Sequence, residues 1–180
     1  MKCIYCNHYI LYDLKNGSYK CAKCKRKFST KKLDRKKRIL RDFLQGFNPT
    51  EISKKENISY ASVVKEIQNI RKVMASICEK EYLKKENIEE FNEYQFNNIS
   101  FLTISYGAKV YNLLLTTTPS LQSQLININS NKTIPKFWRY FEKFMKKFKG
   151  IKEENFFYYL KEAEFRFNKF EIDVIDLINF

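Results

Sequence analysis

Two Cys-x-x-Cys pairs, Cys3/Cys6 and Cys21/Cys24, open a chain of 180 residues with 14 residues between them. Zinc takes four soft ligands in a tetrahedron, and a Cys-x-x-Cys turn delivers two thiolates from one tight loop. The separation is one residue below the usual range of about 15–20, which a short hairpin permits. Asn16-Gly17 reads as a two-residue hairpin turn within the Ile10–Tyr19 stretch that would bring the pairs together. The segment 1–30 is too small to bury a core of its own, so a structural zinc ion is expected to supply its folding energy. Tetrahedral iron accepts the same ligands. A closed four-thiolate site leaves no open position for water, so no catalysis is assigned to it. His8, the one histidine, is expected at the surface or as a donor behind the ligands, and Cys78, alone on a helix, as a small buried hydrophobe.

Paired cysteines mean metal only where disulfides are rare, which is the expected setting. Met1-Lys2-Cys3-Ile4 carries no apolar signal core, and no apolar run reaches about 18 residues, so a cytoplasmic chain without a membrane partner is expected. Charge is distributed unevenly. Residues 1–85 hold 22 basic and 8 acidic side chains, whereas 86–180 hold 12 of each. Within 1–41 the ratio is 14 to 2. An AT-rich genome inflates Lys, Asn, Ile and Phe together but does not create such asymmetry. A segment so charged attracts phosphates and gains by counterion release.

Hydrophobic periodicity predicts three helices, 33–45, 49–56 and 59–85, after the ribbon. The first is basic, with Leu33, Ile39, Leu40, Phe43 and Leu44 available for a core and Gly46 as its C-terminal cap. Asn48-Pro49-Thr50-Glu51 has the form of a capping box with proline at the first helical position. Ser59 caps the third helix, whose Val63, Ile67, Ile70 and Met74 recur at 3–4 spacing. Two helices joined by Glu56-Asn57-Ile58, the second longer and basic, form the helix-turn-helix pattern. Its geometry turns Tyr60, Ala61, Ser62 and Lys65, with Asn69 one turn on, toward a major groove. Lys36, Lys37 and Arg38 of the basic first helix complete the expected DNA-binding set.

Beyond residue 86 the pattern changes to three strands, about 88–96, 99–106 and 109–117, dense in β-branched and aromatic residues such as Phe101, Ile104, Tyr106, Val110 and Tyr111. A short helix is expected after Pro119, then helices 134–149 and 152–168 on either side of Gly150. The first of these carries Ile134, Phe137, Trp138, Phe141, Phe144, Met145 and Phe148 on one face and Lys136, Arg139, Lys143, Lys146 and Lys147 on the other. The aromatic stripe reads as core packing.

The order of parts resembles insertion-sequence transposases of the zinc-ribbon, RNase H-like type. The ribbon ends in Lys27-Phe28-Ser29, and a helix-turn-helix follows. Glu90–Phe96 looks like that family's first catalytic strand, with Asn92 where an Asp is expected. Tyr106–Tyr111 looks like its second hairpin. Ile134–Trp138 looks like the segment of the last acid, with Pro135 at the Glu place, and Tyr159–Asn168 like the closing helix. The resemblance implies three carboxylates holding two Mg²⁺ ions around a phosphate. This chain has Asp only at 13, 34, 42, 173 and 176, so the middle acid has no place between 43 and 172. Glu90 and Glu93 read as solvated strand charges, and Glu142 lies off the expected helical face.

The expectation is therefore an α+β chain in three parts: a four-cysteine zinc ribbon (1–30), a helix-turn-helix DNA-binding region (31–85) and a reduced RNase H-like remnant of three strands and helices (86–180). Its expected activity is binding of double-stranded DNA without catalysis, as a regulator, an inhibitor or a mobile-element remnant. A second copy of the chain or a related transposase is the expected protein partner. Two alternatives stand beside it: an active transposase with acids from unexpected positions, and a ribbon module that docks on other proteins.

Overall fold

The computed structural model describes residues 1–15, 17–84, 88–96, 99–115 and 133–179. The chain is α+β. Its elements are β1 (Leu11–Asp13), β2 (Ser18–Cys21), β3 (Lys27–Ser29), α1 (Thr30–Leu44), α2 (Pro49–Glu56), α3 (Tyr60–Tyr82), β4 (Glu90–Phe96), β5 (Ile99–Tyr106), β6 (Lys109–Leu115), α4 (Ile134–Met145), α5 (Glu153–Phe167) and α6 (Val174–Asn179). They form two compact units, Met1–Val73 with Ile172–Phe180, and Met74–Glu171, and the division falls inside α3.

In the first unit β1, β2 and β3 make an antiparallel sheet in that order. The β1–β2 connection is longer than a two-residue turn. The Asp13 carboxylate accepts the Lys15 N–H at 2.9 Å, which starts the turn early, and the Leu14 N–H donates to the Ser18 carbonyl at 2.9 Å. Asn16 lies outside the described residues. The third strand, β3, pairs with β2 from Ser18↔Ser29 to Lys20↔Lys27 and leads directly into α1.

The helix ends follow their local chemistry. Past α1, Gly46 takes φ +93°, and the Gly46 and Phe47 N–H groups donate back to the Phe43 and Asp42 carbonyls, which closes the helix in a Schellman turn. At α2 the Asn48 side chain accepts the Glu51 N–H at 3.0 Å while the Glu51 carboxylate accepts the Asn48 N–H at 2.7 Å. Asn57, left-handed at φ 51°, ends α2, and Ser59 Oγ accepts the Ser62 N–H at the start of α3. Ile39, Leu40, Phe43, Ile52, Val63, Ile67 and Ile70 are buried, whereas Leu44 is 38% exposed. α6, which periodicity does not predict, begins where Asp173 accepts the Ile175 and Asp176 N–H groups.

In the second unit β4, β5 and β6 form an antiparallel meander. Strand alternation puts Phe101, Thr103 and Ser105 of β5 on one face with Val110 and Asn112 of β6. Phe101 and Val110 pack with Phe137, Phe141 and Phe144 of α4 and Phe156, Leu160 and Ala163 of α5, with Trp138, Phe148 and Phe167 half-buried around them. The aromatic stripe thus serves as core, each buried ring contributing about 1.5–3 kcal/mol. α4 ends at Met145 and α5 spans Glu153–Phe167, both shorter than expected. The helix expected after Pro119 lies outside the described residues.

Two polar devices join the helices to this sheet. Glu90 is buried, contrary to its reading as a solvated strand charge. Its carboxylate accepts the N–H groups of Thr133 and Ile134, each at 3.3 Å, and so caps α4, for which Thr133 supplies no side-chain cap. At the far edge, the Asn168 amide accepts the Val110 N–H at 2.8 Å and donates to the Val110 carbonyl at 2.6 Å. Glu164 accepts the Asn112 N–H at 2.9 Å. Four residues of helix rise about 6.0 Å and two of strand about 6.8 Å, so side chains four apart on α5 match backbone groups two apart on β6. Helical side chains thereby occupy the hydrogen-bonding edge that another strand would use.

Candidate metal centre and basic helical face

The ribbon is built from one turn used twice. The Cys3 N–H donates to the His8 carbonyl at 2.9 Å and the Cys21 N–H to the Arg26 carbonyl at 3.0 Å. The Asn7 N–H returns to the Cys3 carbonyl and the Lys25 N–H to the Cys21 carbonyl, with Asn7 and Lys25 both left-handed at φ 57° and 60°. That backbone aims both thiols of a pair at one point. Tyr5 and Cys24 then donate their N–H groups to Cys3 Sγ and Cys21 Sγ, each at 3.5 Å. Phe28, from β3, closes the small core beneath Cys3 and Cys21.

The four Sγ atoms all lie within 4.8 Å of one another. Cys3–Cys24 and Cys6–Cys21 are separated by 3.7 and 3.6 Å, far beyond a disulfide bond of about 2.05 Å. A tetrahedron with metal–sulfur arms of about 2.3 Å has edges of about 3.8 Å, so the set fits a soft divalent ion. Burial alone would push the Cys21 thiol up, but the N–H groups of Cys24 and Lys23 and the neighbouring thiols outweigh it and pull it down to about 6. Cys24 receives the Arg26 N–H, yet burial and the three sulfurs beside it push it up to about 11. One thiolate thus opposes the next, and full ionisation of the cluster calls for a cation. His8 contributes its carbonyl and is half-buried, while Cys78 is fully buried in the second unit, its Sγ 3.8 Å from the Lys161 carbonyl.

No protein-family model, curated protein or solved structure matches this chain.

Tyr60, Ala61, Ser62 and Lys65 are exposed on the first turns of α3, and Asn69 is half-buried. Ser59 and Ser62 hold each other through their hydroxyls at 2.8 Å. Lys37 is exposed. Lys36 and Arg38 form ion pairs within the unit: Lys36 with Glu66 of α3 at 3.0 Å, and the exposed Arg38 with Glu56 of α2. Arg41 and Lys55 converge on the buried Asp42 at 3.0 and 2.9 Å. These pairs tie α1 to α2 and α3, a role that sequence spacing does not disclose. Of the residues the resemblance ties to catalysis, Asn92 is exposed on β4 opposite Thr103, and Pro135 sits in the first turn of α4. Among the described residues no helix is long and apolar enough to cross a membrane.

Proposed function

We propose that this chain is a DNA-binding protein in which a zinc-held ribbon and a helix-turn-helix engage double-stranded DNA without cutting it. The observation that carries the reading is the first face of α3. Four small or hydrogen-bonding side chains, Tyr60, Ala61, Ser62 and Lys65, stand exposed there. They belong to a unit with 19 basic and 8 acidic residues. In a helix-turn-helix the second helix reads base edges from its N-terminal residues. The left-handed Asn57 and the Ser53 hydroxyl, which donates to the Ile58 carbonyl at 2.6 Å, make the tight turn such a motif needs. Zinc suits the four thiolates, and its role here is to fold the ribbon.

The residues at the expected acid positions do not suit strand transfer. Asn92 brings no anionic charge, Pro135 has no ligating side chain, and the Glu90 carboxylate is engaged at the start of α4. The resemblance to zinc-ribbon transposases then gives a role as a regulator or inhibitor of a related transposase.

The test is selection of a preferred duplex from random DNA, followed by titration of Ser62→Ala and Lys65→Ala on preferred and unrelated duplexes. Each change should reduce discrimination by about 1–3 kcal/mol if its side chain reads a base. Absence of any duplex binding at low salt by the zinc-loaded chain would overturn the reading. Mg²⁺- or Mn²⁺-dependent cleavage by the pure protein would overturn its non-catalytic part.

A further inference from the structure

The second unit is nearly balanced in charge, but the balance is not local. Residues 133–152 hold seven basic side chains and one acidic, while the rest of 74–171 holds eight basic and eleven acidic. The excess is aligned. Lys136, Arg139, Lys143, Lys146 and Lys147 lie at helical spacing on the face of α4 and its closing turn opposite Phe137, Phe141 and Phe144. All five are exposed, and among the described residues none forms an ion pair. On the first unit's α1 the pattern is mixed: Lys36, Arg38 and Arg41 pair with acids, whereas Lys37 is exposed.

This alignment works against the helix. Lys136/Arg139, Arg139/Lys143 and Lys143/Lys147 are like-charged neighbours three or four residues apart, the arrangement that destabilises a helix. Lys136 also stands in the first turn, where a cation opposes the helix dipole and where the helix itself carries no acidic residue, the Glu90 carboxylate being its one acidic cap. At the other end Lys143 complements the dipole, but the like-charged pairs along the row find no relief within the fold. An external polyanion would relieve every one of these repulsions. We propose that the outer face of α4 is a second duplex-DNA contact surface, one that grips phosphates and reads no bases.

The geometry favours DNA over the alternatives. From Lys136 to Lys146 the row runs about 15 Å in a line, and a duplex presents one charge per about 1.7 Å of its axis. The helix is held rigid from behind, because Phe137, Phe141 and Phe144 fill the core at 0–6% exposure. A helix that binds membranes needs that apolar face to insert among lipids, and here it is already occupied.

The surface is separate from the α3 face, and the experiment keeps the two apart. The full zinc-loaded chain is titrated with one random-sequence duplex across a range of salt concentrations. It is compared with a variant combining Lys136→Gln, Arg139→Gln, Lys143→Gln and Lys147→Gln, and with a second combining Lys136→Arg, Lys143→Arg and Lys147→Arg. The first variant should lower the slope of log affinity against log salt by about 2–4, since each lost phosphate contact removes about 0.9. The arginine variant should keep the wild-type slope, which excludes a folding defect as the cause. Lys65→Ala on α3, run in parallel, reports the other face. An α4 effect with no α3 effect upholds this proposal alone, and the reverse overturns it while leaving the α3 reading intact. An unchanged slope in the glutamine variant, with loss of binding only to vesicles of mixed phosphatidylserine and phosphatidylcholine, overturns it in favour of a membrane surface.

Discussion

Among the described residues stand two antiparallel three-strand sheets of the same simple order, and different physics holds each. The strands of the first are three or four residues long and close over the buried Cys3, Cys21 and Phe28, with Ile4, Tyr5, Leu11 and Tyr19 half-buried around them. Those of the second run seven or eight residues and carry a core of phenylalanines from two helices. A short sheet cannot exclude enough water to offset the entropy of ordering its chain, so the proposed metal's ligand bonds would have to supply its stability. The long sheet has apolar area to spare and uses its polar groups to fix helix position. Equal topology here does not mean equal cause.

The largest effect should come from removing a thiolate. Cys21→Ser, or chelation of the wild type, should abolish the metal and strip amide-exchange protection from residues 1–29 while leaving that of 99–115 unchanged. An apparent binding free energy on the order of 10–16 kcal/mol is at stake. Protection in the ribbon that survives metal removal, checked by metal analysis of the same sample, would break the contrast.

Next in size is Phe137→Ala. It should cost the second unit about 3–5 kcal/mol in denaturant unfolding, because the ring is fully buried and packs against Trp138, Phe141 and Phe167. The metal content should not change. Asn168→Ala should cost about 1–3 kcal/mol by leaving the Val110 N–H and carbonyl without their partner. A cost under a few tenths of a kcal/mol would mean that water replaces the amide.

The smallest effect is a pH dependence of opposite sign in the two units. Burial would push Asp42 up, but Lys55 and Arg41 hold its carboxyl below the usual carboxylate range. Its contribution is full above that range and fades as pH falls through the lowered value. Burial pushes Glu164 above the range despite Lys161 and the Asn112 bonds. Its contribution is full below the range and fades as pH rises through the raised value. Acidification from neutral pH should therefore weaken exchange protection around α1 and α2 and strengthen it around β6 and α5. Asp42→Asn and Glu164→Gln should each flatten the dependence of their own unit.

What was legible in the sequence was local. The two cysteine pairs, the Asn48–Glu51 box and the glycine after α1 each act within a few residues, and the structure holds them as read. The stripe at Phe137, Phe141 and Phe144 was legible because a buried helix face repeats. α6 carried a readable signal, since Asp173 and Asp176 cap each other's N–H groups as Asn48 and Glu51 do, but it spans only Val174–Asn179. What was hidden were pairings across the chain. Glu90 reaches Ile134 over 44 residues, Glu164 reaches Asn112 over 52 and Asn168 reaches Val110 over 58. No spacing rule distinguishes a carboxylate that will cap a distant helix from one that faces water. The same holds for Lys36 and Arg38, whose ion pairs with Glu66 and Glu56 tie α1 to its neighbouring helices.

The side-chain closure of β6 sets a schedule for synthesis. Asn168 is made 58 residues after Val110, a delay of about 3–12 s at about 5–20 residues per second. During that interval the meander is complete in sequence while its outer edge has no partner, a template for a neighbouring nascent chain. The danger ends only when α5 emerges and lays Glu164 and Asn168 along the strand. Translation that slows between β6 and α5 lengthens the exposure, so the yield of correctly folded second unit should depend on the speed of the ribosome as well as on the stability of the finished fold.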